Sequence, residues 1–212
     1  MIDLYTWTTP NGRKVSILLE ELCIPYTVHS IDISKNEQFA SDFLKIAPNN
    51  RIPAIIDQET GVHLMETGAI MMYLASKHRK FQCRGDEYWR MVEWMMWQVG
   101  GLGPMLGQVH HFVKYNIGTS AYAEKRYQTE AKRLYSVLNE RLAGRDFIAG
   151  EGNGVYSIAD IACWPWVSRF EWQEIDLSDF SNIRDWYVRI AGRPAVQRGY
   201  SVPKFTTEVP MP

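Results

Sequence analysis

The sequence predicts a small α/β domain followed by an all-helical domain. Short strand-like runs alternate with helical patterns up to His78, and no convincing strand follows that residue. The stretch RKFQCRGDE is polar and contains glycine, as expected of a linker at residues 80–86. Amphipathic and aromatic-rich helical patterns make up the rest. The two halves therefore belong to different fold classes.

The first half, residues 1–79, has the predicted order β-α-β-α-β-β-α. Its strands and helices are expected at 2–7, 10–23, 25–33, 38–48, 52–57, 62–66 and 67–78. The helix between the first two strands requires a parallel crossover, whereas the short QETG turn joins the last two strands as an antiparallel hairpin. We therefore expect a small mixed sheet flanked by helices.

The second half is predicted to form a helical bundle over residues 87–200, followed by a loose C-terminal tail at 201–212. A long amphipathic helix over SAYAEKRYQTEAKRLYSVLNERLAG ends at Gly144. In YSIADIACWPW, Ser157 and Asp160 have the spacing of a capping box, with aspartate in place of glutamate. This spacing predicts the start of another helix.

Composition narrows the possible functions. The net charge of -1 over 212 residues leaves no basic excess to neutralise nucleic-acid phosphates. No N-terminal run is apolar enough for a signal peptide or membrane span, so we expect a cytoplasmic protein with no membrane partner. Cys23, Cys83 and Cys163 lie far apart, and the adjacent His110 and His111 would point apart on a helix. We therefore expect neither a disulfide framework nor a metal site.

The stretch TWTTPNG at 6–12 joins the first predicted strand to the first helix. A junction of this kind presents backbone N–H groups at the carboxyl end of a strand, where ligands bind. Thr9 followed by Pro10 is also a good start for a helix. Capping and ligand binding are both open to these residues.

Four features together resemble the glutathione transferase family. They are TWTTPNG, NNRIPAI with its proline, METGAI at the start of a helix, and YSIADIACWPW in the second half. They occur in the family's order and cover residues 1–200. TPNGRKV, WQVGGLGPMLGQ and KRYQTEAKRLY are most similar to the nu-class, disulfide-bond-reductase branch. The resemblance implies a thioredoxin-like first domain, a homodimer, and glutathione as substrate or bound co-substrate.

The resemblance also implies roles for residues before and after the predicted hairpin. Glu66 would pair with the α-ammonium of glutathione, while Thr67 and the helix N-terminus would take the γ-glutamyl carboxylate. Pro53 would be cis and expose the N–H and C=O of Ile52 to the cysteinyl backbone. Thr67 is equally a plain N-cap, and Pro53 a proline at a strand start.

Two further positions match the family pattern. Gln38 corresponds to the residue whose amide donates to the glycyl carboxylate, and Arg126 to one that reaches glutathione across a dimer interface. Each is equally explained as a solvated residue, Gln38 at a helix start and Arg126 on an amphipathic helix.

The residues around the ligand's sulfur depart from most of the family. The position of the C-x-x-C motif of thioredoxin-like domains holds TPNG, so the ligand must supply the thiol. Tyr5 lies back in the strand and Ser16 lies well down the helix, so neither replaces the usual Tyr, Ser or Cys. Thr9 and Asn11 are the candidate catalytic residues, as donors to a thiolate whose pKa a helix N-terminus lowers by roughly a unit.

Three functions follow. The first is glutathione-dependent reduction of a small disulfide, by bound glutathione thiols rather than a protein cysteine. The second is conjugation of glutathione to small electrophiles, which the missing Tyr, Ser or Cys weakens. The third is a non-enzymatic glutathione-binding or scaffold protein, although a pure scaffold would have no need of an ammonium-binding Glu66.

Overall fold

The computed structural model describes all residues from Met1 to Pro212, and they form two compact units. One is an α/β unit and the other is helical. The α/β unit contains Met1–Lys80 and Gly192–Val209, and the helical unit contains Phe81–Ala191 and Pro210–Pro212. The segment from Gly192 to Tyr200, which the sequence analysis assigned to the helical domain, thus packs within the α/β unit.

The chain contains four β-strands and nine α-helices. The strands are β1 (Ile2–Thr6), β2 (Tyr26–Ser30), β3 (Ala54–Asp57) and β4 (Val62–Met65). The helices are α1 (Pro10–Leu22), α2 (Ser41–Leu44), α3 (Thr67–His78), α4 (Asp86–Trp97), α5 (Gly103–Val109), α6 (Ala121–Arg141), α7 (Ile158–Val167), α8 (Ser181–Ala191) and α9 (Pro194–Tyr200). The strands, α1–α3 and α9 form the α/β unit. None of the helices has the length and apolar character needed to cross a membrane.

The sheet of the α/β unit has the strand order β2-β1-β3-β4. β1 runs parallel to β2, with Ile2 opposite Tyr26, and antiparallel to β3, with Leu4 opposite Ile55. β3 and β4 are antiparallel neighbours. The prediction of a mixed sheet is confirmed, because the crossover through α1 makes β1 and β2 parallel and the tight turn makes β3 and β4 antiparallel.

The helix predicted over 38–48 is shorter than expected. Glu37–Phe39 forms one 3-10 turn, Ala40 is extended, and only then does α2 begin. Phe43 packs with Ala54 in a small core cluster, so the second half of the segment provides its hydrophobic contacts. The predicted helix is therefore divided into one 3-10 turn and one short α-helix.

α9 packs closely against α1 in the α/β unit. A Cβ at Gly199 would lie 2.6 Å from the Cα of Ile17, so only glycine allows this approach. The hydroxyl of Ser16 donates to the carbonyl of Gly199 at 2.7 Å. The guanidinium of Arg13 lies 3.5 Å from the centre of the Tyr200 ring. Close backbone packing and two polar contacts thus fix α9 on α1.

Gly199→Ala is expected to lower the free energy of unfolding by roughly 2 kcal/mol, because an added methyl group must push α1 and α9 apart. Urea denaturation of both proteins measures the difference. Gly100→Ala is the control, since a Cβ at Gly100 meets no atom within 4 Å. Equal stability of Gly199→Ala and Gly100→Ala would contradict the proposed close contact.

The C-terminal segment, for which we expected a loose tail, makes contacts with residues near the start of the chain. Arg13 Nη2 donates to Thr206 Oγ1 at 3.2 Å, and Lys204 Nζ lies 4.4 Å from the centre of the Trp7 ring. Val209 is buried, with 7% of its surface exposed. These contacts are with residues distant in sequence, which is why composition alone suggested no structure here.

The start of α7 in the helical unit carries the predicted capping box. Ser157 Oγ accepts from the Ala159 N–H at 3.3 Å, and Asp160 Oδ2 accepts from the Ser157 N–H at 3.0 Å. Asp160 Oδ1 also accepts from the Ile148 N–H and the Trp186 indole N–H, each at 2.9 Å. The carboxyl group is fully buried, and burial raises the pKa of Asp160 to about 6. The capping-box prediction is confirmed, and the same carboxylate ties two further segments to α7.

Candidate functional site

The junction between β1 and α1 is built tightly. Thr9 Oγ1 accepts from the Gly12 N–H at 3.1 Å and so caps α1. A Cβ at Gly12 would lie 2.1 Å from the carbonyl oxygen of Trp7, so glycine is required for the first turn of α1 to rest against the end of β1. Asn11, one position earlier, is half-buried.

A cavity of about 230 Å³ lies in the α/β unit beside this junction. It is lined by Asn11, Asn49, Arg51, Ile52, Pro53, Met65, Glu66 and Thr67. Five of these residues are candidates from the sequence analysis, namely Asn11, Ile52, Pro53, Glu66 and Thr67. Although they come from three separate stretches of sequence, the fold brings them to one cavity.

The backbone has two unusual features at the cavity. The Ile52–Pro53 peptide bond is cis, as the family resemblance implied. Glu66, which precedes α3, has a φ of 70°, a region that non-glycine residues seldom occupy and that is concentrated at functional sites. The side chain of Glu66 does not cap α3. The first N–H groups of α3, beginning at Thr67, therefore receive no capping bond from the residue that normally provides one.

The charged side chains at the cavity have opposite signs. Glu66 and Arg51 are both exposed at its lining, and the partial positive charge of the α3 N-terminus adds to the basic side. The arrangement suits a ligand that carries both an ammonium and carboxylate groups. The sequence analysis gave Arg51 no role, although it directly precedes Ile52 within the NNRIPAI motif.

Lys14 is a second residue that the sequence analysis missed. Its ammonium donates to Thr67 Oγ1 at 3.3 Å, and Lys14 and Thr67 are both buried. A basic residue directly before the mostly apolar stretch from Val15 to Leu22 is expected to point to solvent, so the burial of Lys14 was not foreseeable. Only the packing of α1 beside α3 brings the ammonium to Thr67.

Three proposed site residues do not line this cavity. Thr9 lies next to it and caps α1, as described above. Gln38 is buried in the 3-10 turn before α2, and its side-chain oxygen has no hydrogen-bond partner. Arg126 is an exposed residue of α6 in the helical unit, where it lines a different cavity of about 680 Å³ with Tyr122 and Lys125.

No cysteine lines the 230 Å³ cavity. Cys23 follows the last residue of α1, about 20 Å along the helix from the end that meets the cavity. Cys83 and Cys163 are buried in the helical unit, and burial raises the pKa of the Cys83 thiol to about 11. A thiol reacting in this cavity must therefore come from a bound molecule.

Family models match most of the chain. The model of the glutathione S-transferase N-terminal domain matches residues 1–76, and that of the glutathione S-transferase C-terminal domain matches residues 104–194. Among curated proteins, the disulfide-bond oxidoreductase YfcG of Escherichia coli is 47% identical over 92% of this chain and 92% of its own. The disulfide-bond oxidoreductase YghU of the same organism is 34% identical over 93% of this chain and 73% of its own.

Solved structures give the same relationship. A glutathione transferase from Burkholderia graminis, crystallised with two glutathione molecules per subunit, has a TM-score of 0.89 and 39% identity. That comparison covers 97% of this chain and 89% of the other. A glutathione transferase from Pseudomonas putida, with one glutathione disulfide per subunit, has a TM-score of 0.89 and 36% identity over 95% and 91% of the two chains.

Proposed function

The chain belongs to the glutathione S-transferase family, and on that premise we propose that it is a glutathione-dependent disulfide-bond oxidoreductase. The observation that carries the proposal is the cavity of the α/β unit, whose lining includes the Glu66 carboxylate and the N-terminus of α3 but no cysteine. Two relatives named disulfide-bond oxidoreductases and a related structure containing glutathione disulfide support it.

The cavity residues fit the groups that glutathione presents. Glu66 pairs with the α-ammonium, and Thr67 with the N-terminus of α3 receives the γ-glutamyl carboxylate. Ile52, before cis Pro53, offers its backbone N–H and C=O to the cysteinyl residue. The glycyl carboxylate is the acidic group left to pair with Arg51, a role that the sequence analysis gave to Gln38.

Asn11 is the residue proposed to act on the sulfur. Its side-chain amide can donate to a thiolate at the start of α1, and the helix N-terminus favours the same negative charge. Thr9 contributes by capping α1, which holds Asn11 in place. The amide of Asn11 and the N-terminus of α1 both lower the pKa of the bound thiol and so increase the thiolate fraction at neutral pH.

The reaction then needs no redox group on the protein. The thiolate of one glutathione attacks a disulfide sulfur, the S–S bond breaks, and the departing thiolate takes up a proton. A second glutathione thiolate attacks the resulting mixed disulfide and releases the second thiol. Two glutathione molecules are oxidised to one glutathione disulfide, and one substrate disulfide is reduced to two thiols.

We also place the chain in the nu-class branch, as a cytoplasmic homodimer. TPNGRKV and KRYQTEAKRLY support the branch, and reduction by glutathione suits a compartment in which glutathione is kept reduced. In the dimer, the exposed Arg126 of one protomer reaches the glutathione bound by its partner.

Asn11→Ala is expected to lower kcat/KM for glutathione-dependent reduction of a small hydroxyalkyl disulfide by about tenfold, because the thiolate loses a donor. The pH at which the rate reaches half its maximum should rise, since less thiolate is present at a given pH. Turnover is followed by coupling glutathione disulfide formation to a glutathione reductase.

Two further measurements complete this test. One is the effect of Thr9→Ala, and the other is the rate at which wild type conjugates glutathione to an aryl chloride. Thr9→Ala should weaken the α1 cap by about 1 kcal/mol, and Thr9→Ser should restore it.

Slow conjugation beside fast disulfide turnover supports the oxidoreductase. Conjugation that dominates over disulfide turnover would instead make the protein a conjugating transferase, and glutathione binding with neither activity would make it a binding protein.

A further inference from the structure

The ammonium of Lys14 is buried behind the cavity that we assign to glutathione. Only 2% of the residue's surface is exposed, and its Nζ lies 3.3 Å from Thr67 Oγ1. Removing a lysine ammonium from water is costly, and a well-packed apolar side chain of similar volume is often at least as stable. A role in packing α1 beside α3 therefore does not by itself explain why the residue is charged.

The direction of the hydrogen bond between Lys14 and Thr67 indicates a role for the ammonium. An ammonium can only donate, so Thr67 Oγ1 accepts from Lys14 and keeps its own proton for another acceptor. Thr67 lines the cavity at the first residue of α3. An anion there would meet the Thr67 hydroxyl and the uncapped N–H groups of α3, with a full positive charge behind the hydroxyl.

We propose that Lys14 is a positioning and specificity-determining residue, which orients the Thr67 hydroxyl and makes the cavity require a carboxylate at the start of α3. The inference rests on the proposed binding of glutathione, whose γ-glutamyl α-carboxylate is the group in question. Lys14 acts through Thr67 and through its charge, and it does not touch the reacting sulfur.

The test compares two ligands by calorimetry. One is glutathione, and the other is γ-aminobutyryl-cysteinyl-glycine, which lacks only the γ-glutamyl α-carboxylate. Lys14→Met should weaken glutathione binding by about tenfold and binding of the decarboxylated analogue by less than about twofold. Lys80→Met is the matched control, because it removes an exposed lysine of the same unit and should leave both affinities unchanged.

Thr67→Val tests the same link without altering α1. It should remove the preference for the carboxylate as Lys14→Met does, and the double variant should lose little more, because the two residues act as one unit. Equal weakening of both ligands, or no weakening of either, would overturn the proposal. If Lys14→Met does not fold, Lys14→Gln, which removes the charge but keeps a donor for Thr67 Oγ1, is titrated with the same two ligands, and equal changes in the two affinities, or none, would overturn the proposal.

Failure of the proposed oxidoreductase function and failure of the Lys14 proposal give different experimental results. A wild-type protein that binds glutathione with the carboxylate preference but does not turn over disulfides refutes the oxidoreductase and leaves the role of Lys14 intact. A protein that turns over disulfides but shows no selective effect of Lys14→Met refutes the role of Lys14 alone. Absence of glutathione binding refutes both.

Discussion

Asp160→Ala is expected to lower the free energy of unfolding by roughly 4 kcal/mol near pH 5. The buried carboxyl group accepts from the N–H groups of Ser157 and Ile148 and from the indole of Trp186. Alanine leaves these three buried donors without an acceptor and also removes half of the capping box. Urea denaturation, followed by tryptophan fluorescence, measures the loss.

The penalty of Asp160→Ala should depend on pH in a defined direction. Burial raises the pKa of Asp160 to about 6, above the ordinary aspartate pKa of 3.8, so its ionisation costs stability as the pH rises between these values. Wild type therefore loses stability over this range relative to the alanine variant. The difference between the two proteins should narrow by roughly 1 kcal/mol between about pH 5 and pH 7.

Asp176→Ala is the matched control for this experiment. Asp176 also caps a short helical turn, accepting from the Ser178 N–H at 2.8 Å, but it is exposed. Its replacement should cost much less stability than that of Asp160, because water can accept from the Ser178 N–H in its place. Similar losses for the two variants, or a penalty at Asp160 that widens with rising pH, would contradict the assignment.

Glu66→Gln is expected to weaken glutathione binding by about 30-fold, or roughly 2 kcal/mol, because the γ-glutamyl ammonium loses its carboxylate partner. The backbone at this residue needs no change, since glutamine has the same shape and meets the same positive φ. Calorimetric titration with glutathione measures the loss, and a deaminated analogue of glutathione should show almost no difference between the two proteins.

Glu59→Gln is the control for Glu66→Gln. It removes the same charge from the turn between β3 and β4, where Glu59 is paired with Lys77 at 2.8 Å. Its glutathione affinity should stay within about twofold of wild type, because an exposed ion pair contributes little. An unchanged affinity in Glu66→Gln would remove Glu66 from the proposed site.

Local signals predicted most of the separate parts of the candidate site. Thr9 and Pro10 mark the start of α1, and the METGAI motif places Glu66 directly before α3. The capping box at Ser157 was visible in the same way. Capping, turn and periodicity signals depend on residues a few positions apart, which is why the sequence alone is enough for them.

Contacts between segments far apart in the sequence could not be predicted in this way. The expected helix over 38–48 is divided at the extended Ala40, and Phe43, which follows the break, packs against Ala54. The C-terminal segment was expected to be loose because it has little hydrophobic pattern, yet Thr206 bonds to Arg13 from the other end of the chain. Neither contact leaves a periodic trace in the sequence.

The sequence by itself determined the two-part architecture, the mixed sheet and the residue types for holding a ligand with an ammonium and carboxylates. Only the tertiary structure decided which of those residues meet. Pairing of β3 with β1 and packing of α3 beside α1 bring Asn11, Ile52 and Glu66 to one cavity and place Lys14 behind Thr67. Side-chain periodicity reports which face of an element is buried, whereas the partner of that face depends on how the elements pack together.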